Sequence, residues 1–268
     1  MDYRVFAPPP PLRGLVQLAW TLRSPAGEGR QRVLPDGSVE LVWNLGDRFR
    51  RHPSAGGVTE LQPAALFVGP TTRHLEIEAT GWVDLVGVRL VPGAAAALVA
   101  PPLAELRDLA VDLGDVDGLA MPAGLGERLA ALDSPAARAA AALAVVATAA
   151  RPERVDPRVR RAVDGMARCP ASSSVGGWAR RAGLATRALE RRFRRHVGTS
   201  PKRLARLLRF QGVLAAARGV PRLHHMLAAG YFDQAHFLRD FREFTGTSPT
   251  VFFRREGNAL SAAFTSGA

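Results

Sequence analysis

Hydrophobic and polar positions change their period part-way along the 268-residue chain. The first ninety residues carry short apolar runs at Arg32-Val33-Leu34, Glu40–Asn44, Leu66–Gly69, His74–Ala79 and Asp84–Leu90. Runs of this length, separated by turn residues such as Pro35-Asp36-Gly37, predict β-strands. Val91-Pro92-Gly93 then leads into alanine-rich text that predicts helices at 93–99, 103–110, 123–132 and 135–150. Strands followed by helices indicate a small β-barrel-like or sandwich-like domain with attached helices, so the N-terminal half makes the fold class α+β.

The second half reads differently and repeats itself at an interval of 48 residues. Gly198-Thr199-Ser200-Pro201 returns as Gly246-Thr247-Ser248-Pro249, Phe193 maps onto Phe241, and Leu189 onto Phe237. Each copy predicts a short helix, a glycine-containing turn and a second helix. In the first copy these are 175–182, Gly183-Leu184 and 186–197. In the second they are 221–229, Gly230-Tyr231 and 234–245. Gly198 and Gly246 stand where a left-handed C-terminal cap is wanted. Ser200-Pro201 opens a connecting helix of about five turns that should run to Arg218 and stop at Gly219. The C-terminal half is therefore expected to be all-α, two helix-turn-helix units joined by a helix.

At 100° per residue, Leu189, Phe193 and His196 share one side of the first unit's second helix, while Arg187, Glu190, Arg191 and Arg194 fill a ~100° arc opposite. An anchored rear with donors in front suits a helix that enters a major groove. Arginine matches guanine O6 and N7 bidentately, and glutamate can accept from cytosine N4. For Glu190 an i,i+4 pair with Arg194 remains an equal alternative. The second unit presents Ala235, Leu238, Arg239 and Arg242, flanked by Gln234 and His236, over a packed rear of Phe237, Phe241 and Phe244. Alanine and leucine can touch thymine methyls but donate nothing, so the first unit should carry more of the polar readout. Asp233 is a sound N-cap, whereas its counterpart Ala185 is a weak one.

Charge sharpens this division. The net charge is +12, but residues 1–150 hold 13 basic and 16 acidic side chains, while 151–268 hold 23 basic and 8 acidic. A net of −3 beside a net of +15 is the asymmetry expected of a sensor joined to a nucleic-acid-binding module. The proline-flanked stretch 151–157 is the best linker, giving domains at 1–155 and 156–268. All basic residues except Lys202 are arginine, and Cys169 is the lone cysteine, which excludes a disulfide framework or a multi-cysteine zinc site. The longest apolar stretch, 139–150, falls short of the ~18 residues that span a bilayer, and the start lacks a signal-peptide core. A cytoplasmic location with no membrane partner is expected.

Residues from about 172 to 256 resemble the DNA-binding domain of AraC/XylS-type transcriptional regulators. The resemblance rests on Ala229-Gly230-Tyr231-Phe232-Asp233-Gln234-Ala235-His236-Phe237-Leu238-Arg239-Asp240-Phe241-Arg242, followed by the second Gly-Thr-Ser-Pro. In the first unit it rests on Trp178–Leu184, Leu189–Phe193 and the first Gly-Thr-Ser-Pro. It implies units at about 172–198 and 220–246 whose second helices enter successive major grooves on one face of DNA. Carried over, base readout falls to Arg187, Glu190 and Arg191, then to Gln234, Leu238 and Arg239. Ala185 replaces the usual serine, and Gly176-Gly177 departs from the pattern. Lys202 and Arg203, at the start of the connecting helix, are expected on phosphates. Arg206 and Arg209 are left as either solvated or internally paired.

In relatives of such a half, the attached domain often senses a small molecule or mediates dimerisation, and Val88–Ala94 is similar to such sensor domains. Trp20, Trp43 and Trp82 are candidates for an effector pocket, although buried core is the commoner fate of tryptophan in a β-domain. His74, Glu76 and Glu78 share a strand face, yet with His52 as the sole other histidine of this half a metal site is a minor reading. No cofactor, metal or catalytic residue is expected. The reading is a DNA-binding transcriptional regulator, not an enzyme. The alternative is an N-terminal metal-dependent enzyme localised by a basic domain. Expected partners are double-stranded DNA, a small-molecule effector, a second copy of the chain, and RNA polymerase if the protein is an activator.

Overall fold

The computed structural model describes residues 1–27, 29–52, 58–169, 174–217 and 221–255. The helix stop expected at Arg218 and Gly219, and the expected starts of the units near 172 and 220, lie outside the described residues.

Among the described residues, ten strands build the N-terminal half: β1 (Asp2–Phe6), β2 (Val16–Ser24), β3 (Arg30–Val33), β4 (Val39–Asn44), β5 (Phe49–His52), β6 (Glu60–Leu61), β7 (Ala65–Val68), β8 (Leu75–Ala79), β9 (Val83–Leu90) and β10 (Ala110–Asp112). They form two antiparallel sheets, ordered β1-β2-β9-β4-β7-β10 and β3-β8-β5-β6, neither of which closes on itself. Alternation along the central strands divides the core in two. Leu41 and Trp43 of β4, with Val86 and Val88 of β9, pack under the helices, whereas Val42 and Leu85 turn to the space between the sheets with Trp20. Every residue of β9 is buried because both of its faces are covered. Gly87 opposes Trp20 across the β2–β9 ladder, and any side chain there would run into the indole.

Two helices, α1 (Leu125–Ala130) and α2 (Pro135–Ala149), close the outer face of the larger sheet. Ser134 caps α2 by accepting from the Ala137 N–H at 3.1 Å. Arg138 of α2 holds both oxygens of the buried Asp84, at 2.9 and 3.0 Å, and donates to the carbonyls of Leu132 and Ala130. A buried carboxylate and guanidinium are tolerated here because each finds its partner.

The expected strands appear, within a residue or two, as β3, β4, β7, β8 and β9. The helix expected at 103–110 does not form. Asp108 adopts φ 60° and takes the Thr72 N–H at 2.6 Å and hydroxyl at 2.8 Å, a conformation no helix supplies. The 93–99 segment contains a single turn of 3-10 helix at Ala94–Ala97.

The C-terminal half consists of α3 (Pro157–Arg168), α4 (Val175–Arg181), α5 (Thr186–His196), α6 (Pro201–Ala217), α7 (Leu223–Ala228), α8 (Gln234–Thr245) and α9 (Pro249–Arg255). Asp156 caps α3, which joins Trp178, Leu189, Phe193 and Leu204 in one core. A second, aromatic core gathers Phe210, Tyr231, Phe237, Phe241, Phe244 and Phe252. The α6 helix contributes to both, so one rod carries the two units. Among the described residues, no helix is long and apolar enough to cross a membrane.

Candidate nucleic-acid interface and interior cavity

The second helix of each unit, α5 and α8, is anchored as the periodicity requires. Leu189 and Phe193 of α5, and Phe237, Phe241 and Phe244 of α8, are fully buried. On the opposite side of α5, Arg187, Arg191 and Arg194 are exposed and Glu190 is half-buried. Among the described residues no salt bridge joins Glu190 to Arg194, and none engages Arg187 or Arg191. Three guanidinium groups therefore stand on one face with their donors turned to solvent.

On α8, Gln234, Arg239 and Arg242 are exposed, while Leu238 is partly buried against the aromatic core. His236 lies edge-on to Tyr231, with ring centroids 5.0 Å apart. Asp233 caps this helix by accepting the His236 N–H at 2.7 Å; Ala185 gives α5 no side-chain cap. Gly246 supplies the left-handed residue after α8 at φ 73°.

Among the other cations, Lys202 is exposed in the first turn of α6. Arg203 is not free for a phosphate: it pairs with Glu243 and donates to the Thr72 carbonyl at 2.6 Å. The first turn of α6 is wedged between α8 and the 70–72 segment, which is why neighbouring side chains part company. Arg206 is internally paired, with Asp240 at 2.7 Å and with Glu243. Burial works against its charge, but Asp240 and Glu243 more than offset this and raise its pKa. Tyr231 donates to the same buried Asp240 at 3.2 Å; burial and that carboxylate push its phenol up. Arg209 lies over the Tyr231 ring, 5.4 Å from its centroid.

Both of these helices end on the N-terminal half, a feature that periodicity and charge do not foretell. The Leu103 N–H donates to the Arg195 carbonyl at the end of α5 at 2.8 Å, and Gly198 lies so close to Pro70 that an added methyl would stand 2.6 Å from it. At the end of α8, Arg32 donates to the Thr245 carbonyl at 3.0 Å, and the His74 ring lies against Gly246. The repeated Gly-Thr-Ser-Pro turns are thus also the feet on which the two units stand. The repeat itself was the available signal, because the same turn in both copies implies the same job.

A cavity of about 90 Å³ opens between the two sheets. Its walls are mainly apolar, with Trp20, Val42, Leu66 and Leu85, and one end is polar, with Asp36, Glu40 and Arg89. Arg89, buried to 6% exposure, holds Glu40 at 2.5 Å and Asp36 at 3.4 Å. Of the three tryptophans considered, Trp20 lines this cavity. Trp43 lies on the other face of the sheet in the helix-covered core, and Trp82 is 47% exposed near a strand end. Glu76 pairs with Arg32 at 2.8 Å and Glu78 lies within hydrogen-bond distance of His52 at 2.9 Å, so the carboxylates of that strand are occupied by neighbouring side chains.

Residues 178–255 match the family described as a helix-turn-helix domain, and residues 4–112 match a domain of unknown function (DUF6597). Comparison with curated proteins finds no sequence match. Among solved structures, an apo lysine-to-alanine variant of ToxT from Vibrio cholerae strain SCE256 superimposes with a TM-score of 0.49 at 10% identity, covering 88% of this chain and 97% of that one. ToxT from Vibrio cholerae O395 bound to (E)-4-(8-methylnaphthalen-1-yl)but-3-enoic acid gives 0.50 at 6% identity, over 95% and 99% of the two chains. Unsaturated fatty acid bound wild-type ToxT gives 0.46 at 9% identity, over 94% and 95%. At 6% identity the match with a TM-score of 0.50 is a likeness of fold alone.

Proposed function

We propose that this chain, whose residues 178–255 match a helix-turn-helix domain, is an AraC/XylS-type DNA-binding regulator that reads sequence through α5 and α8 and is controlled by a small molecule in its N-terminal half. The observation that carries the reading is the face of α5, where Arg187, Arg191 and Arg194 are exposed above a buried rear. Arginines held this way can pair with guanine edges, while Glu190 accepts from cytosine. Arg239, Arg242 and Gln234 extend the same role to α8, and Lys202 serves as a phosphate contact.

Control by a small molecule is supported by the cavity between the sheets and by the docking of both units onto the half that contains it. The ToxT structure bound to a naphthalenyl-butenoic acid is a case of this fold taking up a small molecule. The test is to map the genomic fragments retained by the full chain and to compare its affinity for them with its affinity for random DNA. A preference of at least about a thousandfold is expected of a specific regulator. Equal affinity for all fragments would leave a non-specific DNA binder.

A further inference from the structure

We infer that the cavity between the sheets takes a small apolar molecule with a cationic, hydrogen-bond-donating head, an alkylamine in its simplest form, and signals occupancy through the Leu34–Gly37 turn to the connecting helix. The inference rests on the reading of the N-terminal half as a sensor and adds the ligand's chemistry and the route of the signal.

The charge at the polar end decides the chemistry. Among the described residues that line the cavity, the charged ones are two carboxylates, Asp36 and Glu40, and one guanidinium, Arg89. That end therefore carries one uncompensated negative charge beside apolar walls. An acid entering there would bring a third carboxylate to one cation, in surroundings where charge is poorly screened. An ammonium group balances the count, and its N–H donors meet carboxylates, which can only accept. Size limits the rest of the molecule. A volume of about 90 Å³ is smaller than the roughly 150 Å³ of an engineered cavity that admits benzene, which points to a ligand of about five heavy atoms.

The route follows from four consecutive residues. Leu34 lines the cavity and also packs, 3% exposed, in the aromatic core with Leu207 and Phe210 of α6. The Pro35 carbonyl accepts from Nε2 of the buried Gln211, also on α6, at 2.7 Å. Asp36 faces Arg89 and accepts the Ser38 N–H at 2.8 Å, so its position fixes the turn. Gly37, at φ 75°, lies against α6 so closely that a methyl would stand 2.9 Å from Leu204. A cation that draws Asp36 away from Arg89 must therefore move the Pro35 carbonyl on which Gln211 rests.

The experiment titrates the full chain with millimolar n-butylamine, n-butanol and butyrate, reading binding by calorimetry and DNA affinity in parallel. Butylamine should bind at least tenfold more tightly than butyrate. Glu40→Gln, or Asp36→Asn if the first variant does not fold, should weaken butylamine about tenfold and leave butanol little changed. Butyrate binding as well as butylamine would overturn the charge argument while leaving the sensor reading intact. Binding of none of the three would remove the cavity as a ligand site and the sensor reading with it. Butylamine should also shift DNA affinity in the parent chain, and Gln211→Ala should bind it equally while losing that shift. An absent shift in the parent, or an undiminished one in Gln211→Ala, would overturn the route.

Discussion

Arg203, in the first turn of the connecting helix, donates from Nη2 to the main-chain carbonyl of Thr72, 2.6 Å away and 131 residues earlier in the chain. Its neighbour Lys202 points to solvent. Adjacent cations on one helix thus serve different ends, one fastening the halves together and the other available to a phosphate.

The pair can be separated by salt. Lys202→Ala should reduce the slope of log K against log salt for DNA binding by about one unit. Arg203→Ala should leave that slope unchanged and lower folding stability by about 1–3 kcal/mol, since it breaks a charged hydrogen bond to a carbonyl and the pair with Glu243. Binding isotherms at several salt concentrations and urea melts measure the two effects. Equal slopes for the two variants would remove the distinction.

Base readout is tested at the exposed face of α5. Arg191→Ala should cost about 1–3 kcal/mol at a cognate site and relax preference at one base position. Affinity for random DNA should change far less. A parallel loss on both kinds of DNA would make Arg191 a backbone contact.

Two left-handed glycines isolate the contribution of docking. Gly183 has φ 66° with open space around it, whereas Gly246 has φ 73° with the His74 ring 2.5 Å from an added methyl. Gly183→Ala should cost about 1–2 kcal/mol, the strain of a left-handed side chain. Gly246→Ala should cost more, because the His74 contact must also give way. Chemical melts of the two variants decide it, and equal losses would mean that the foot at Gly246 yields freely.

The same contact makes stability depend on pH. Burial, followed by the nearby Arg32, lowers the pKa of His74 from 6.5, and burial likewise lowers His196 beneath the end of α5. The unfolded chain then binds more protons than the folded one just below pH 6.5, so stability rises with pH through that window and falls on acidification. His74→Asn should flatten the profile below about pH 6.5, where the unfolded imidazole takes up its proton and the folded one does not. A profile unchanged by the substitution would place the dependence elsewhere.

Much of the C-terminal half is legible in the sequence because its helices are amphipathic and several, α3, α4 and α8 among them, are capped by a side chain, so local pattern and tertiary burial agree. Leu189, Phe193, Phe237 and Phe241 fall on the buried side as their spacing requires. The N-terminal half obeys local rules less. The strand β2 escapes the pattern because residues 18–22 are buried without alternation, covered on one side by helices and on the other by the second sheet. β1 and β5 mix arginine with apolar residues and give little pattern to read. The docking of the two units is invisible for a different reason. It relies on carbonyls at Thr72, Arg195 and Thr245, and a main-chain acceptor has no letter in the sequence. Arg203 therefore reads as a phosphate ligand although its acceptors lie within the protein.

Leu34 belongs by chain order to the β-rich half and by packing to the aromatic core of the helical one. Cutting the chain at the proline-flanked linker would leave a leucine-sized notch in that core open to water. The two halves are therefore not interchangeable modules on a string. Heat should take the molecule apart in one calorimetric peak, because the helical half does not complete its own interior without Leu34.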